Sequence, residues 1–384
     1  MESAPSVLEL GALLVAAVAA GWLARRVGLP AVVGYLVLGL AVSPFTPGYV
    51  ADRHQLQLLA DVGVVLLLFE VGIEVDLWRL RREHGQIIWA APVQVVTTTA
   101  ISAAVVMALG IDLVPAVVLG LAIALSSSVA IVNITRSRRR TTDPPTERAM
   151  LGWSVVQDVT GVILAAIVIV ALRGRSETLV SALIGFAAFA AVAIVTALLL
   201  PRILRQVRQQ PDLFLLLSVG SGLVIAGVGA VVFGVPLALA AFIGGLVITE
   251  DPVSRDARRQ LLPFRDLFAV LFFVAIGALI DPGNLAAGAS WLALFVGLIV
   301  AAKVLPAYVL ARVGRIGTRP LQLAVGLGQV GEFSFVLAAL LIAAGAITSP
   351  VYVALIAAVA VSIGVSTIIV RMVPVAADTQ TAAG

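Results

Sequence analysis

The sequence predicts an all-α polytopic membrane protein, and three observations lead to this fold class. Hydrophobic residues make up 61% of the chain and charged residues only 12%, and the mean hydropathy of +1.12 is far above that of soluble domains. Apolar stretches long enough to cross a hydrocarbon core of about 30 Å recur along the whole sequence. Polar runs interrupt two of these stretches near their middle, which predicts helices that are broken inside the membrane.

The apolar stretches define about thirteen candidate transmembrane spans. They lie near residues 6–24, 30–44, 56–76, 86–109, 113–134, 149–171, 178–200, 213–232, 236–249, 266–280, 288–310, 320–346 and 350–370. The N-terminal residues MESAPS carry no basic segment before the first apolar run. We therefore expect the first span to be a retained helix and not a cleaved signal peptide.

The arginines predict how the spans are oriented. With the N-terminus outside, only Arg53, Arg173 and Arg175 fall in outer loops, and the other arginines fall in inner loops. This asymmetry predicts an outside N-terminus and a cytoplasmic C-terminus, in the plasma (inner) membrane, and it agrees with an odd number of spans. Because helix-end arginines account for the net charge of +4, membrane lipid is the expected surrounding and nucleic acid is not an expected partner.

Asp158 lies in the middle of the span 149–171. At about 1.5 Å per residue it is roughly 14 Å from the start of that span, close to the bilayer centre. A carboxylate at that depth costs on the order of 3 kcal/mol to insert, so it marks an ion pathway by default. Ser154 and Gly161, about one turn on either side, make the same face small and polar. The alternative is a carboxyl group that serves only helix packing.

Lys303 is the only lysine in the sequence and lies within the span 288–310. Its predicted depth agrees with that of Asp158 to within about one helical turn. A lysine at this depth needs a partner, although snorkelling of the side chain to the interface is the alternative without a function. Two partners are open: the carboxylate of Asp158, or the ends of the broken helices together with Glu332.

Both predicted helix breaks are runs of polar or small residues between apolar halves. The residues concerned are Ser126, Ser127 and Ser128 in the span 113–134, and Gln329 and Glu332 in the span 320–346. Serine can bond back inside an intact helix, so one break alone is a weak signal. Two breaks in opposite halves of the sequence are expected of a transporter with inverted repeats, in which the half-helices cross. Glu332 is then expected to neutralise the positive ends of the crossing half-helices.

Glu70 and Glu74 lie four residues apart in the third span and share one helix face. Two interpretations are open. The carboxylates line an inner vestibule for cations, or they pair with nearby arginines, which are Arg79, Arg81 and Arg82.

Cysteine is absent from the sequence, and the two histidines both lie in loop stretches. We therefore expect no resident metal centre, no cofactor and no thiol chemistry.

Six segments together resemble the monovalent cation:proton antiporter-2 family, and most of all its glutathione-gated potassium-efflux type. They are GYLVLGLAVSPF, LADVGVVLLLFEVGIEVDLWRLR, ALSSSVAIV, SVVQDVTGV, LFFVAIGALID and GQVGEFSFVLA. The resemblance covers nearly the whole sequence. It implies a thirteen-helix, inverted-repeat fold like that of Na+/H+ antiporters, in which two protomers form a homodimer. It also implies a core formed by the spans within 86–171 and 288–370, a dimerising scaffold formed by those within 6–76 and 213–280, and a linker helix near 178–200.

The resemblance also implies roles for individual residues. Asp158 matches the carboxylate that binds the cation and the proton, Gln157 matches its neighbour, and Lys303 matches the lysine of the core. Oxygen atoms of the three serines are expected to complete the cation site. Electrogenic relatives carry two adjacent acids, whereas the first position here is Gln157, so one-for-one exchange is expected. Potassium-efflux relatives usually carry a nucleotide-binding regulatory domain after the last helix, which these 384 residues do not contain. The resemblance therefore implies such a domain or subunit as a partner outside these residues, and ligand gating is left open.

The sequence therefore predicts a secondary antiporter and not an enzyme. We expect it to exchange K+ for H+ by competition of the two ions for Asp158. The alternatives are Na+/H+ exchange on the same fold and, in a different class, a gated cation channel.

Overall fold

The structure is a computed structural model in which the described residues form helices and the turns between them. It describes residues 4–27, 29, 31–43, 53–74, 85–127, 130–131, 141–173, 179–235, 237–247, 252–317, 319–331 and 333–372. None of these residues lies in a β-strand. The predicted all-helical fold class is confirmed.

We number the described helices in sequence order. They are α1 (Ala4–Arg26), α2 (Ala31–Ala41), α3 (Arg53–Glu74), α4 (Ile87–Ala108), α5 (Leu113–Ala124), α6 (Pro144–Arg173), α7 (Leu179–Val207), α8 (Pro211–Phe233), α9 (Leu237–Val247), α10 (Pro252–Ala278), α11 (Leu285–Leu298), α12 (Leu305–Val313), α13 (Pro320–Leu327), α14 (Phe333–Ala343) and α15 (Ser349–Met372). A 3-10 turn, Pro282–Asn284, precedes α11, and a π-helical segment, Ile299–Val304, joins α11 to α12.

Seven helices in the described part of the protein are long and apolar enough to cross a bilayer. They are Val7–Arg26, Ile87–Ala108, Ala187–Val207, Pro211–Phe233, Asp256–Ala278, Pro282–Val313 and Ser349–Val370. Shorter apolar helices are Ala31–Ala41, Leu113–Ala124 and Phe333–Ala343. The total of thirteen spans stays a prediction.

The protein divides into two compact units. The first comprises Met1–Arg79 and Val162–Ala286, and the second comprises Leu80–Gly161 and Ala287–Gly384. The predicted site residues of the third span lie in the first unit, and the other predicted site residues lie in the second. The assignment of a core role and a scaffold role to different parts of the sequence stays a prediction.

Within the first unit, helices meet through glycines. A Cβ atom on Gly245 of α9 would overlap the carbonyl oxygen of Phe69 in α3, and one on Gly277 of α10 would overlap that of Leu36 in α2. Small residues that let backbones approach this closely are typical of helix packing in membranes.

The second unit packs around a buried cluster that joins α4, α6, α12 and α13. Trp153, Met150 and Leu323 are among its fully buried members. On another face of α4, a Cβ atom on Gly120 of α5 would lie 2.5 Å from the carbonyl oxygen of Thr99, so the α4 and α5 backbones touch. This packing holds α4, α5 and α6 together around the predicted breaks.

Both predicted helix breaks are present in the second unit. The α5 helix ends at Ala124, and Leu125 has extended backbone angles of φ −82° and ψ 141°. The α13 helix ends at Leu327, and α14 begins only at Phe333. Ser128 and Glu332 lie outside the described residues.

Candidate functional site

The two breaks cross in direct backbone contact. The N–H group of Gly331 donates a 2.9 Å hydrogen bond to the carbonyl oxygen of Leu125. A Cβ atom on Gly331 would lie 2.9 Å from both atoms of the Ser126 carbonyl group. Because neither backbone can shift without disrupting the crossing, only glycine fits at position 331.

Side chains at each break satisfy the backbone of the other. Gln329 accepts a 2.9 Å bond from the N–H of Ser127 and donates a 2.9 Å bond to the carbonyl oxygen of Ser127. Ser126 Oγ donates to the carbonyl oxygen of Leu327 at 2.7 Å. Gln329, Ser126 and Ser127 are all buried. The unwound backbone is therefore paired inside the protein, as membrane depth requires.

Lys303 lies at the point where the two half-helices end. Its side chain is fully buried, and its Nζ donates to the carbonyl oxygens of Leu125 at 2.8 Å and of Gln329 at 2.7 Å. These carbonyls follow the C-terminal ends of α5 and α13, where a helix carries partial negative charge. The ammonium group thus neutralises both ends and ties them together. Of the two partners left open by the sequence, the broken-helix ends are those to which Lys303 donates hydrogen bonds.

Asp158 lies on α6 and is 4% exposed. One turn further along α6, a Cβ atom on Gly161 would lie 2.5 Å from Cδ2 of Leu125. The face of α6 that carries Asp158 is thus packed against the first break. Among the described residues of the second unit, Asp158 and Lys303 are the buried charged side chains.

Gln157, the residue before Asp158, is bonded to a series of polar groups on α4. Its Nε2 donates to Oε1 of Gln94, Gln94 Nε2 donates to Thr98 Oγ1 at 2.8 Å, and Thr98 Oγ1 donates to the carbonyl oxygen of Ala302 at 2.6 Å. We call Gln157, Gln94, Thr98 and the Ala302 carbonyl the α4 relay. Sequence reasoning missed Gln94 and Thr98. Their spacing of four residues in an apolar span was the available signal.

Two buried oxygens in line with this relay have no hydrogen-bond partner within the described part of the protein: Gln157 Oε1 at its end, and Ser102 Oγ one turn beyond Thr98 on α4. Buried acceptors are normally satisfied, so each such oxygen calls for a water or an ion. A carboxylate beside neutral oxygens is the ligand type that a monovalent cation takes, and the same carboxylate can carry a proton.

Glu70 has a different environment, in the first unit. The side chain is fully buried, and its carboxylate pairs with Arg258 Nε at 2.5 Å and with Arg265 Nη1 at 2.7 Å, both on α10. Of the two interpretations made from the sequence, arginine pairing is what the structure shows for Glu70, but with arginines far along the sequence. The side chain of Glu74 and the arginines at 79, 81 and 82 lie outside the described residues.

Comparisons with known proteins show the family and the fold of this chain. Residues 13–375 match the family model of the sodium/hydrogen exchanger, transmembrane. The protein named "Putative cation/proton antiporter YbaL" of Escherichia coli (strain K12) is 31% identical over 298 residues, which are 73% of this chain and 52% of that protein. The chain thus spans about half the length of this curated relative.

Two solved structures have a similar fold. The sodium proton antiporter MjNhaP1 of Methanocaldococcus jannaschii, determined at pH 8, has a TM-score of 0.73 and 19% identity over 98% of this chain and 100% of that one. A second structure of MjNhaP1, an electron-microscopy map, has a TM-score of 0.67 and 18% identity, with 97% and 96% covered. The resemblance to monovalent cation:proton antiporters is confirmed.

Proposed function

Because the chain belongs to the sodium/hydrogen exchanger family, we propose that it exchanges a monovalent cation for protons across the membrane. Asp158 is the group for which the two ions compete. The observation that carries this proposal is the buried Asp158 beside a crossing of two broken helices whose ends are neutralised by Lys303.

One carboxylate is enough for coupled exchange. Ionised Asp158 binds the cation together with a neutral oxygen of Gln157 and oxygens at the first break, and protonation of Asp158 displaces the cation. Since one site holds one ion at a time, each passage of a cation in one direction is matched by a proton in the other when the site opens alternately to the two sides.

The charges in the second unit support an electroneutral cycle. If Lys303 keeps its proton throughout the cycle, the site carries one net positive charge when Asp158 is protonated, and the same net charge when ionised Asp158 holds a cation. The two translocating forms then differ by no charge. One-for-one exchange moves no net charge across the membrane.

We propose K+ as the cation, on the strength of the motif resemblance to potassium-efflux antiporters. Na+ is the competing ion, and MjNhaP1 is described as a sodium proton antiporter. Neutral and anionic oxygens accommodate either ion, and cavity size and ligand number decide between them. The same resemblance leads us to propose a homodimer. The distribution of arginines leads us to propose a location in the plasma (inner) membrane, with the N-terminus outside and the C-terminus in the cytoplasm.

The experiment is a fluorescence assay of a pH gradient in proteoliposomes, with K+, Na+, Li+ and Rb+ added in turn. We expect K+ to dissipate the gradient most effectively. A stronger response to Na+ would replace K+ by Na+ in the proposal. A cation flux that proceeds without movement of protons would indicate a channel and would overturn the exchange mechanism.

A further inference from the structure

The α4 relay ends on a group that can only accept a hydrogen bond. The carbonyl oxygen of Ala302 has no proton, so the hydroxyl of Thr98 must donate to it. The single hydroxyl proton of Thr98 is then used, and Thr98 Oγ1 can take part in a second bond only as an acceptor. Gln94 must therefore turn its NH2 group toward Thr98.

The donor-to-acceptor direction of these hydrogen bonds also determines the orientation of Gln157. Once the NH2 group of Gln94 faces Thr98, its carbonyl oxygen faces Gln157, which must present its own NH2 group. The orientation of both amides follows from the Ala302 carbonyl. It leaves Gln157 Oε1 as the free end of the relay, buried and without a partner among the described residues.

We propose that Gln94 and Thr98 are positioning residues that hold Gln157 with its carbonyl oxygen toward the cation bound at Asp158. This inference rests on the proposed function. If the relay were absent, the amide of Gln157 could rotate and present its NH2 group instead. An NH2 group carries partial positive charge and repels a cation, so the relay decides whether Gln157 is a ligand or an obstacle.

A positioning role and a purely structural role predict different changes in the kinetic constants of the variants. A positioning residue for the cation changes the cation concentration that half-saturates exchange and leaves the maximal rate nearly unchanged, because saturating cation compensates for weaker binding. A residue that serves only folding changes the amount of active protein, and with it the maximal rate, and leaves the KM for the cation unchanged.

The experiment compares four variants with the wild type by exchange kinetics in proteoliposomes, with K+ as the varied cation. Gln94→Leu removes the acceptor for Gln157, and Gln94→Asn keeps an amide but shortens the side chain, which covers the case in which the leucine variant does not fold. Gln94→Glu keeps an acceptor toward Gln157 and, when protonated, a donor toward Thr98. Thr99→Val is the matched control, because the Thr99 hydroxyl is buried on the same helix but lies outside the relay.

We expect the KM for K+ to rise about tenfold in Gln94→Leu and Gln94→Asn, as for the loss of one well-placed ligand. The KM for K+ of Gln94→Glu should stay within about threefold of the wild-type value, below the rise expected from losing the acceptor. Thr99→Val should match the wild type. Unchanged KM values for both Gln94→Leu and Gln94→Asn, or an equal rise in Thr99→Val, overturn the relay while exchange by the wild type stands. A wild type without cation/proton exchange would instead refute the proposed function, and the relay with it.

Discussion

The ammonium group of Lys303 lies 2.7 Å from the backbone carbonyl oxygen of Gln329 and donates a hydrogen bond to it. Gln329 follows the end of α13, and a second bond from the same ammonium reaches Leu125 at the end of α5. One side chain therefore joins two segments that are about 200 residues apart in sequence and lie in opposite halves of the protein, as in inverted repeats. The side chain of Leu125 lies against Gly161 of α6, about one turn beyond Asp158. Because Lys303 and the Asp158 face of α6 meet the same break, we expect Lys303 to act on both the stability of the crossing and the titration of the acid.

Replacing Lys303 with glutamine should affect stability and pH dependence together. Removing the buried ammonium group from the helix ends and from Asp158 should lower the free energy of unfolding by about 3 kcal/mol and with it the melting temperature. Because a neighbouring positive charge favours an ionised carboxylate, Lys303→Gln should also move the pH–activity curve to higher pH. Both are measured on purified protein, by thermal melting and by exchange rates across a pH series.

The control for Lys303→Gln is Arg312→Gln, which removes one positive charge from an exposed position bonded to Tyr308. It should leave the melting temperature and the pH–activity curve unchanged. A Lys303→Gln variant with a lower melting temperature and an unmoved pH–activity curve would restrict Lys303 to the helix ends and exclude its coupling to Asp158.

Gln329→Leu should destabilise the crossing of the two breaks. The change leaves the buried N–H and C=O groups of Ser127 without their side-chain partner, which costs about 1–3 kcal/mol for each group. Gln322→Leu is a matched comparison, because Gln322 is also buried and donates to Thr141 Oγ1 and to the carbonyl oxygen of Val370. Melting temperatures should fall in both variants, but the KM for the cation should rise only in Gln329→Leu. Equal KM values in the two variants would contradict a role of Gln329 at the ion site.

Gly331→Ala should be more damaging than its size suggests. The added methyl group would lie 2.9 Å from the backbone of Ser126, which unlike a flexible side group is not free to move aside. We expect exchange to be lost or reduced about tenfold, because the crossing must widen. Gly297→Ala in α11 is the control, since a Cβ atom there has open space around it. Wild-type exchange by Gly331→Ala would show that the two breaks need not touch.

The sequence was sufficient to predict the two breaks and the two buried charges. A serine run alone is a weak signal, but a second polar interruption in the opposite half of the sequence makes the pair a strong one. A lone lysine or aspartate at that depth indicates a functional site by itself. The α4 relay was not predictable in this way. Gln94 and Thr98 are single polar residues in a long helix. Their role depends on contacts with Gln157 and Ala302, which are close to them only in the folded protein.

The partners of Glu70 show the same limit in another form. The sequence suggested arginines a few residues away as partners, because a sequence alone shows only which residues are close along the chain. The structure pairs Glu70 with Arg258 and Arg265, which are 188 and 195 residues away. Pairing across such distances depends on how α3 and α10 pack against each other. That packing cannot be predicted from the spacing of residues within a single helix.

Exchange by the wild type should produce no sustained current. Both translocating forms of the site carry the same charge if Lys303 keeps its proton and Gln157 carries none. Currents on a solid-supported membrane provide the measurement, since a valinomycin-imposed potential would disturb a K+ gradient. A sustained transport current above the leak of protein-free membranes would contradict one-for-one exchange, and would mean that a second group binds a proton in each cycle.

The most direct test of the whole account is the pH-gradient assay applied to wild type and Asp158→Asn in parallel. Asparagine has nearly the same size and cannot titrate, so Asp158→Asn should fold, insert and elute like the wild type. We expect the wild type to couple cation addition to proton movement and Asp158→Asn to show none, at every pH and with K+, Na+, Li+ or Rb+. Cation-driven proton movement at the wild-type rate by purified Asp158→Asn would contradict the central claim that both ions compete for this carboxylate.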